Sequence, residues 1–472
     1  MEAFCQQRTA ERARLMAISQ LACVGRHTVT RVLCTAGRQF TDWSGDYRLF
    51  SRDRWAPQKL FAPIAGGILE FLPADAPFVG AMDDTILKKT GTKIRGVAYR
   101  RDPLSPPFRV NFIRGQRFLQ FSGMLPAGKV PGPARAIPLR FEHVPSVPKP
   151  KKSAGKEEWK AYRKAQKAQN LSTHGVGLLR QIREELDQQH GAQQRPFIVG
   201  VDGSYTNQTV LKGLPERTTL IGRIRKDAKL FYSPRPEDQP VGRGAKRQYG
   251  RATPTPDEVR KDESRPWQEV TAFAAGKIHN FRVKTLAPVL WKAAGGQCPL
   301  RLVVIAPVGY RLSKASKLLY RQPAYLICTD PDLSLDQILQ DYLWRWGIEV
   351  NHRDEKQIIG VGQAQVWSPQ SVDRQPAFAV ASYAMLLLAA ARAFGPNASR
   401  NDLPIPKWRA NRRRTRLTTQ DLITQLRSEV WAYAITRLAD DSEPFVTPID
   451  SITKAPEFQL PAISTLLYAA TG

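Results

Sequence analysis

The chain has 472 residues, enough for a full core and two to four structural units. Its 71 Lys and Arg against 42 Asp and Glu give a net charge of +29 and a pI near 10.2, which points to a polyanion partner, a nucleic acid before an anionic membrane surface. With no long uncharged apolar run and no cationic-then-apolar leader, the sequence argues against a bilayer-spanning or secreted protein.

Residues 7–37 read as a helical block: an apolar helix, a turn at Gly25, and a second helix through Thr28, Val29, Val32 and Leu33. As a helix-turn-helix this block would show Arg26, His27, Thr28 and Arg31 to a DNA groove, although an ordinary helical hairpin fits the same residues. Residues 78–85, FVGAMDDT, have the short apolar character of a buried central strand ending in two acids. Strand alternation sends Asp83 and Asp84 to opposite faces, so only one of them aims into a given site.

Residues 109–142 read as further strands separated by Pro-Gly turns, and residues 145–169 as a linker that becomes a basic helix. That helix is either a solvated face or a phosphate contact. Residues 173–189 follow as an amphipathic helix. Residues 197–201 form a nearly continuous apolar strand, as burial on both faces requires, with Asp202 at its end and Gly203 next. From residue 226 to about 322 the chain reads as mostly β, opening with a Pro-, Arg- and Gly-rich arm over residues 236–266.

Ser334 and Gln337 read as a capping box that starts a helix near Leu335. At about 100° per residue, Tyr342, Arg345, Glu349, His352 and Lys356 fall on one side of this helix. Leu339, Leu343, Trp346 and Val350 then form a neighbouring apolar stripe. A solvated helix with favourable charge spacing is the plain alternative. Beyond it come a hydrophobic helix over residues 376–395, a basic arm over residues 405–416 containing Trp408, and a helix capped by Thr418.

The spacing of Tyr342, Arg345, Glu349 and Lys356, with the run Arg345, Trp346, Ile348, Glu349 and His352, resembles the Y-R-E-K signature of a group of bacterial insertion-sequence transposases of the DDE type. In that group the glutamate is the last of three metal-binding acids. Carried onto this chain, the resemblance implies Asp84 (the acid directly before Thr85), Asp202 and Glu349 as catalytic metal ligands. It implies Tyr342, Arg345 and Lys356 as DNA contacts near the cleaved end, and Trp346 as an aromatic neighbour.

The implied fold is α/β, an RNase H-like core in which a mixed sheet is flanked by helices and interrupted by a β-rich insertion. Its expected layout is a helical DNA-binding region over residues 1–60, core over 75–225 and 323–395, insertion over 226–322, and a basic arm with a helical region over 396–472. Three carboxylates suit two Mg²⁺ ions, with Mn²⁺ as an alternative, about 3.5–4 Å apart. The five cysteines show no paired ligand spacing and read as reduced thiols of a cytosolic protein, so zinc is not expected.

The expected function is cut-and-paste transposition. The expected partners are double-stranded DNA, as terminal inverted repeats and target, and a second copy in a synaptic homodimer. The expected location is the bacterial cytoplasm, at the nucleoid. A catalytically inactive DNA-binding regulator and a structure-specific nuclease are the alternatives.

Overall fold

The computed structural model describes residues 3–440, apart from residues 5, 92, 103, 104, 107, 190–194, 240–244, 312–315 and 404–415. Four helices precede the sheet: α1 (Gln7–Ala22), α2 (Val29–Thr35), α3 (Ser44–Ser51) and α4 (Ala62–Leu69). Strands β1 (Phe78–Lys88), β2 (Ala98–Arg101), β3 (Phe112–Pro126) and β4 (Ala134–His143) follow, then helices α5 (Lys156–Ala168) and α6 (Leu171–Gln188). Next come β5 (Phe197–Val201), α7 (Gln208–Gly213), β6 (Thr218–Arg223) and α8 (Pro256–Lys261). Strands β7 (Gln268–Ala274), β8 (Lys277–Val289), β9 (Leu300–Ile305), β10 (Gly309–Tyr310), β11 (Leu319–Tyr320) and β12 (Ala324–Cys328) lead to the last helices. These are α9 (Leu335–Trp344), α10 (Trp346–Gln357), α11 (Pro369–Phe394) and α12 (Thr419–Asp440).

Ten of these strands hydrogen-bond into one mixed sheet, in the order β2-β3-β1-β5-β6-β12-β9-β8-β7, with β4 paired to β3. β1 is antiparallel to β3 and β3 to β4, whereas β5 runs parallel to β1 and β6 parallel to β5. Every residue of β5 is buried, because helices cover both faces of the sheet at its centre. This mixed sheet flanked by helices is consistent with an RNase H-like core. Residues 226–322 contribute β7 to β11, and β7, β8 and β9 continue the central sheet beyond β12.

The two faces carry separate cores. Phe78 and Met82 of β1 and Phe197, Val199 and Val201 of β5 pack with α6 residues Leu178, Leu179 and Ile182. Val79 and Ala81 of β1 and Ile198 of β5 pack on the opposite face with Ile338, Leu339, Trp344 and Ile348 of α9 and α10. This parity sets the directions of Asp83 and Asp84, which lie within β1 rather than at its end as expected, and of Asp202 just after β5.

The hydrophobic helix expected over residues 376–395 starts earlier, at Pro369, with Ser368 capping it through the Ser371 amide, and takes Pro376 into its interior. Among the described residues α11 is the one helix long and apolar enough to cross a membrane, and 83% of its most apolar stretch is buried against the rest of the protein. The expected basic arm, Trp408 included, lies outside the described residues except for Arg416, which donates to the Ala134 carbonyl.

Candidate functional site

The strand register brings two acids together. Ala81 pairs with Gly200 and Met82 with Val201 in the parallel β1–β5 ladder, so Asp83 and Asp202 stand at the next step. Paired residues of parallel strands point to the same face. By parity Asp83 follows Val79 and Ala81, and Asp202 follows Ile198 and Gly200, toward α9 and α10. Gly200 eases the approach: a β-carbon there would come within 3.3 Å of the Arg345 β-carbon, so a larger residue would push α9 and α10 away from β5 by a few tenths of an ångström. Gly347 does the same against β4, where an added β-carbon would stand 2.8 Å from that of Ala136.

Arg345 ties the third acid to this face. Its guanidinium donates to Glu349 Oε1 at 3.1 Å and lies 3.7 Å from Asp83 Oδ2. Burial, then the neighbouring Asp202 charge, pushes the Asp83 carboxyl up to about 7. Asp202 is held differently, by an Asx turn in which the Ser204 amide donates to Oδ1 at 2.8 Å and the Ser204 hydroxyl to Oδ2 at 3.2 Å. The result is three carboxylates with one cation among them.

Asp84 points the other way. Its Oδ1 accepts the Tyr205 hydroxyl at 3.0 Å and its Oδ2 pairs with Arg117 at 3.0 Å. Tyr205 belongs to the core on the α6 face, and burial together with the charges of Asp84, Asp83 and Asp202 raises its phenol far above the ordinary range. Arg100 and Lys356 lie within electrostatic reach of Asp84, so this carboxylate sits among cations. The sequence preference for Asp84 as first acid therefore meets a different geometry: Asp83, not Asp84, shares a face with Asp202 and reaches the Arg345–Glu349 pair.

The helix carrying Glu349 starts as the sequence predicts, with Ser334 Oγ accepting the Gln337 amide at 3.3 Å. It is not continuous. The Arg345 amide donates to the Tyr342 carbonyl and the Ile348 amide to the Arg345 carbonyl, tight turns that divide α9 from α10. The extra rotation changes which aromatic is buried. Trp344 packs in the core and donates its indole N–H to the Gly132 carbonyl at 2.8 Å, whereas Trp346, expected on the apolar stripe, is 63% exposed. His352, expected on the open charged side, is buried, and burial drives its imidazole down to about 3, so it stays neutral.

The buried side of α10 is held by a polar network that sequence reasoning missed. Asn351 accepts from Ser122 of β3 and donates to the Ala136 carbonyl of β4 and to the Tyr383 hydroxyl of α11. Glu355 is fully enclosed near Gln120, and burial pushes it up to about 8. These contacts fix the rotation of α10, and hence the direction of Glu349. Arg117 and Tyr205 were missed too; a Tyr three residues after a strand-end Asp was the one available signal.

In the N-terminal block, Thr28 caps α2 through the Arg31 amide, and Gly25 turns the chain at φ +84°. Arg26 and Arg31 are exposed. His27 is buried; its backbone N–H donates to Gln363 Oε1 at 2.7 Å and its ring packs on Gly360. It serves the seam between this block and the loop after α10, and so does not face a groove as expected.

The acids fit a hard divalent cation: all three are oxygen donors, and the repulsion between Asp83 and Asp202 asks for positive charge. As they stand, no three His, Cys, Asp or Glu side chains among the described residues are arranged to hold a metal ion. Arg345 lies between Asp83 and Glu349, where an incoming cation would compete with it.

Comparison with curated proteins gives no match. The model of the DDE superfamily endonucleases matches residues 2–293, a span that includes Asp83, Asp84 and Asp202 and ends before Glu349. With more than half of its length covered, the chain belongs to the DDE superfamily endonucleases.

Proposed function

We propose that the chain is a DNA transposase that binds transposon ends and carries out metal-dependent strand cleavage and strand transfer, with Asp83, Asp202 and Glu349 as its metal-holding acids. The observation that carries this reading is the shared face of Asp83 and Asp202 on adjacent parallel strands, linked to Glu349 by Arg345. Enzymes of this superfamily generally use divalent metal ions. Bound there, Mg²⁺ or Mn²⁺ would activate a water or 3′-hydroxyl and stabilise the leaving oxygen at phosphorus.

The remaining roles fall to side chains. Asp202 is pre-oriented by its Asx turn, so its carboxylate needs little ordering. Arg345 pairs with Glu349 and lies near Asp83, where it would compete with an incoming cation, and it would turn to a phosphate if the acids held such a cation. Tyr342 lies 5.7 Å under the Arg345 guanidinium and orients it. Lys356 lies within electrostatic reach of Asp84, with Lys88 nearby, and is taken as a second phosphate contact. Trp346, exposed one residue from Arg345, is available to stack on a base. Arg26 and Arg31 extend the basic surface of the N-terminal block, which together with the charge of +29 suits duplex DNA.

The test uses a supercoiled plasmid bearing the DNA that flanks the gene, incubated with the full chain and Mg²⁺ or Mn²⁺. Cleavage at the element ends followed by joining to a target is expected. Cleavage without joining would leave a nuclease; binding without cleavage would leave a regulator.

A further inference from the structure

Beyond the last residue of β1 the sheet narrows to a two-stranded ribbon of β2 and β3, paired Ala98 to Gly115, Tyr99 to Arg114, Arg100 to Ile113 and Arg101 to Phe112. Alternation puts Tyr99, Arg101, Phe112 and Arg114 on one face. Tyr99 is 75% exposed and Phe112 is 66% exposed, with Arg101 exposed beside them. The two rings occupy diagonal positions and the two cations the other diagonal. Between Ala98 and Arg114 the chain has Arg100, Arg101, Arg109 and Arg114 against the single acid Asp102, so the ribbon complements a polyanion.

The register also relates this face to the acids. Asp83 pairs with Gln120 on β3, and Gln120 and Arg114 have the same parity on that strand. Tyr99, Arg101, Phe112 and Arg114 therefore have the parity of Asp83 and Arg100 that of Asp84. The stretch between the acids and the ribbon is closed: Leu87, Lys89, Gln116 and Phe118 are buried, and Lys89 donates to the Gly362 and Ala364 carbonyls of the loop that covers it. From Gln120 to Arg114 is about 20 Å along the strand. Exposed ring faces suit unpaired bases, because a duplex has already stacked its own.

We propose that the β2–β3 ribbon binds an unpaired DNA strand, with Tyr99 and Phe112 stacking on bases and Arg101 and Arg114 taking the phosphates between them. The proposal rests on the transposase reading above and adds a single-strand contact to it. It makes the ribbon a second DNA contact, distinct from the signature helix.

The test measures binding of the full chain to a fluorescein-labelled oligo(dT) 20-mer, to the same length of duplex, and to the matching RNA strand. Tyr99→Ala and Phe112→Ala should each weaken single-strand binding about tenfold, with duplex binding unchanged and Tyr99→Phe near wild type. Both side chains are exposed, so thermal melting of the variants should match wild type. Equal losses on single strand and duplex, no loss on either, or tighter capture of RNA than of DNA would each overturn the proposal. Metal-dependent nicking is measured alongside. Nicking with unaltered single-strand binding in the variants removes the ribbon's role alone, whereas a wild-type chain that neither binds nor nicks DNA removes the transposase reading with it.

Discussion

On one face of β1, Asp83 stands beside Asp202 and within reach of the Arg345 that holds Glu349; on the other, Asp84 accepts the Tyr205 hydroxyl and pairs with Arg117. The two acids are sequence neighbours of one type, and the fold gives them opposite surroundings. Asp83 is surrounded by carboxylates and is short of positive charge. Asp84 is surrounded by cations and is already satisfied. A hard divalent ion gains most where negative charge is uncompensated, which is why the proposed function gives metal to the first and leaves the second to align neighbouring cations.

The largest expected effect separates the acids by function. Glu349→Gln and Asp202→Asn should each lower single-turnover cleavage of a labelled end by about 10³-fold or more while end affinity stays within a few fold. Loss of folding together with binding in Glu349→Gln would make that residue structural instead. Arg345→Ala should cost about 10²-fold in cleavage by misplacing the scissile strand, without weakening Mn²⁺ binding. Weaker Mn²⁺ binding in that variant would mean that Arg345 orders the acids rather than competing with the ion.

The pH dependence gives a smaller effect. Burial and Asp202 raise Asp83 to about 7 from an ordinary 3.8, so between those values the folded chain holds a proton that the unfolded chain releases. Stability from this group therefore falls as pH rises through that window, and metal must displace the proton to bind. Mn²⁺ affinity should drop about tenfold per unit below pH 7 and level off above it. A flat profile from pH 5.5 to 7.5 would count against Asp83 as a ligand.

The smallest effect concerns the signature helix itself. Trp344→Ala should lower stability by about 3–5 kcal/mol in a denaturant melt, whereas Trp346→Ala should change it by less than about 0.5 kcal/mol and weaken end binding instead. Equal melts for the two variants would show that the helix break does not set which tryptophan is buried.

Much of this site was legible in the sequence because local rules carried it. The apolar runs of β1 and β5 marked buried strands, Asp202 marked the end of β5, and Ser334 marked the start of α9, whereas β1 does not end in its two acids as expected but runs on past them to Lys88, paired with β3 throughout. Alternation sent Asp83 and Asp84 to opposite faces, as the structure does, and so offered one of them to a given site. Which one depends on the face that α10 covers, and that is tertiary information set by Gly200, Gly347 and the Asn351 network. The stripe through Trp346 failed because a constant 100° step does not foresee the tight turns at Arg345. His27 failed because exposure in a helix-turn-helix was inferred from the motif alone, and the loop at Gly360 packs over it.

The most direct test of the account is Mn²⁺ binding to the full chain, followed by electron paramagnetic resonance, in Asp83→Asn and Asp84→Asn. Asp83→Asn should lose at least tenfold in affinity and cleave no detectable DNA, while Asp84→Asn should bind Mn²⁺ as wild type does and retain cleavage to within about tenfold. The opposite ranking, with Mn²⁺ binding lost in Asp84→Asn and kept in Asp83→Asn, would contradict the assignment of the metal site to the α10 face of β1.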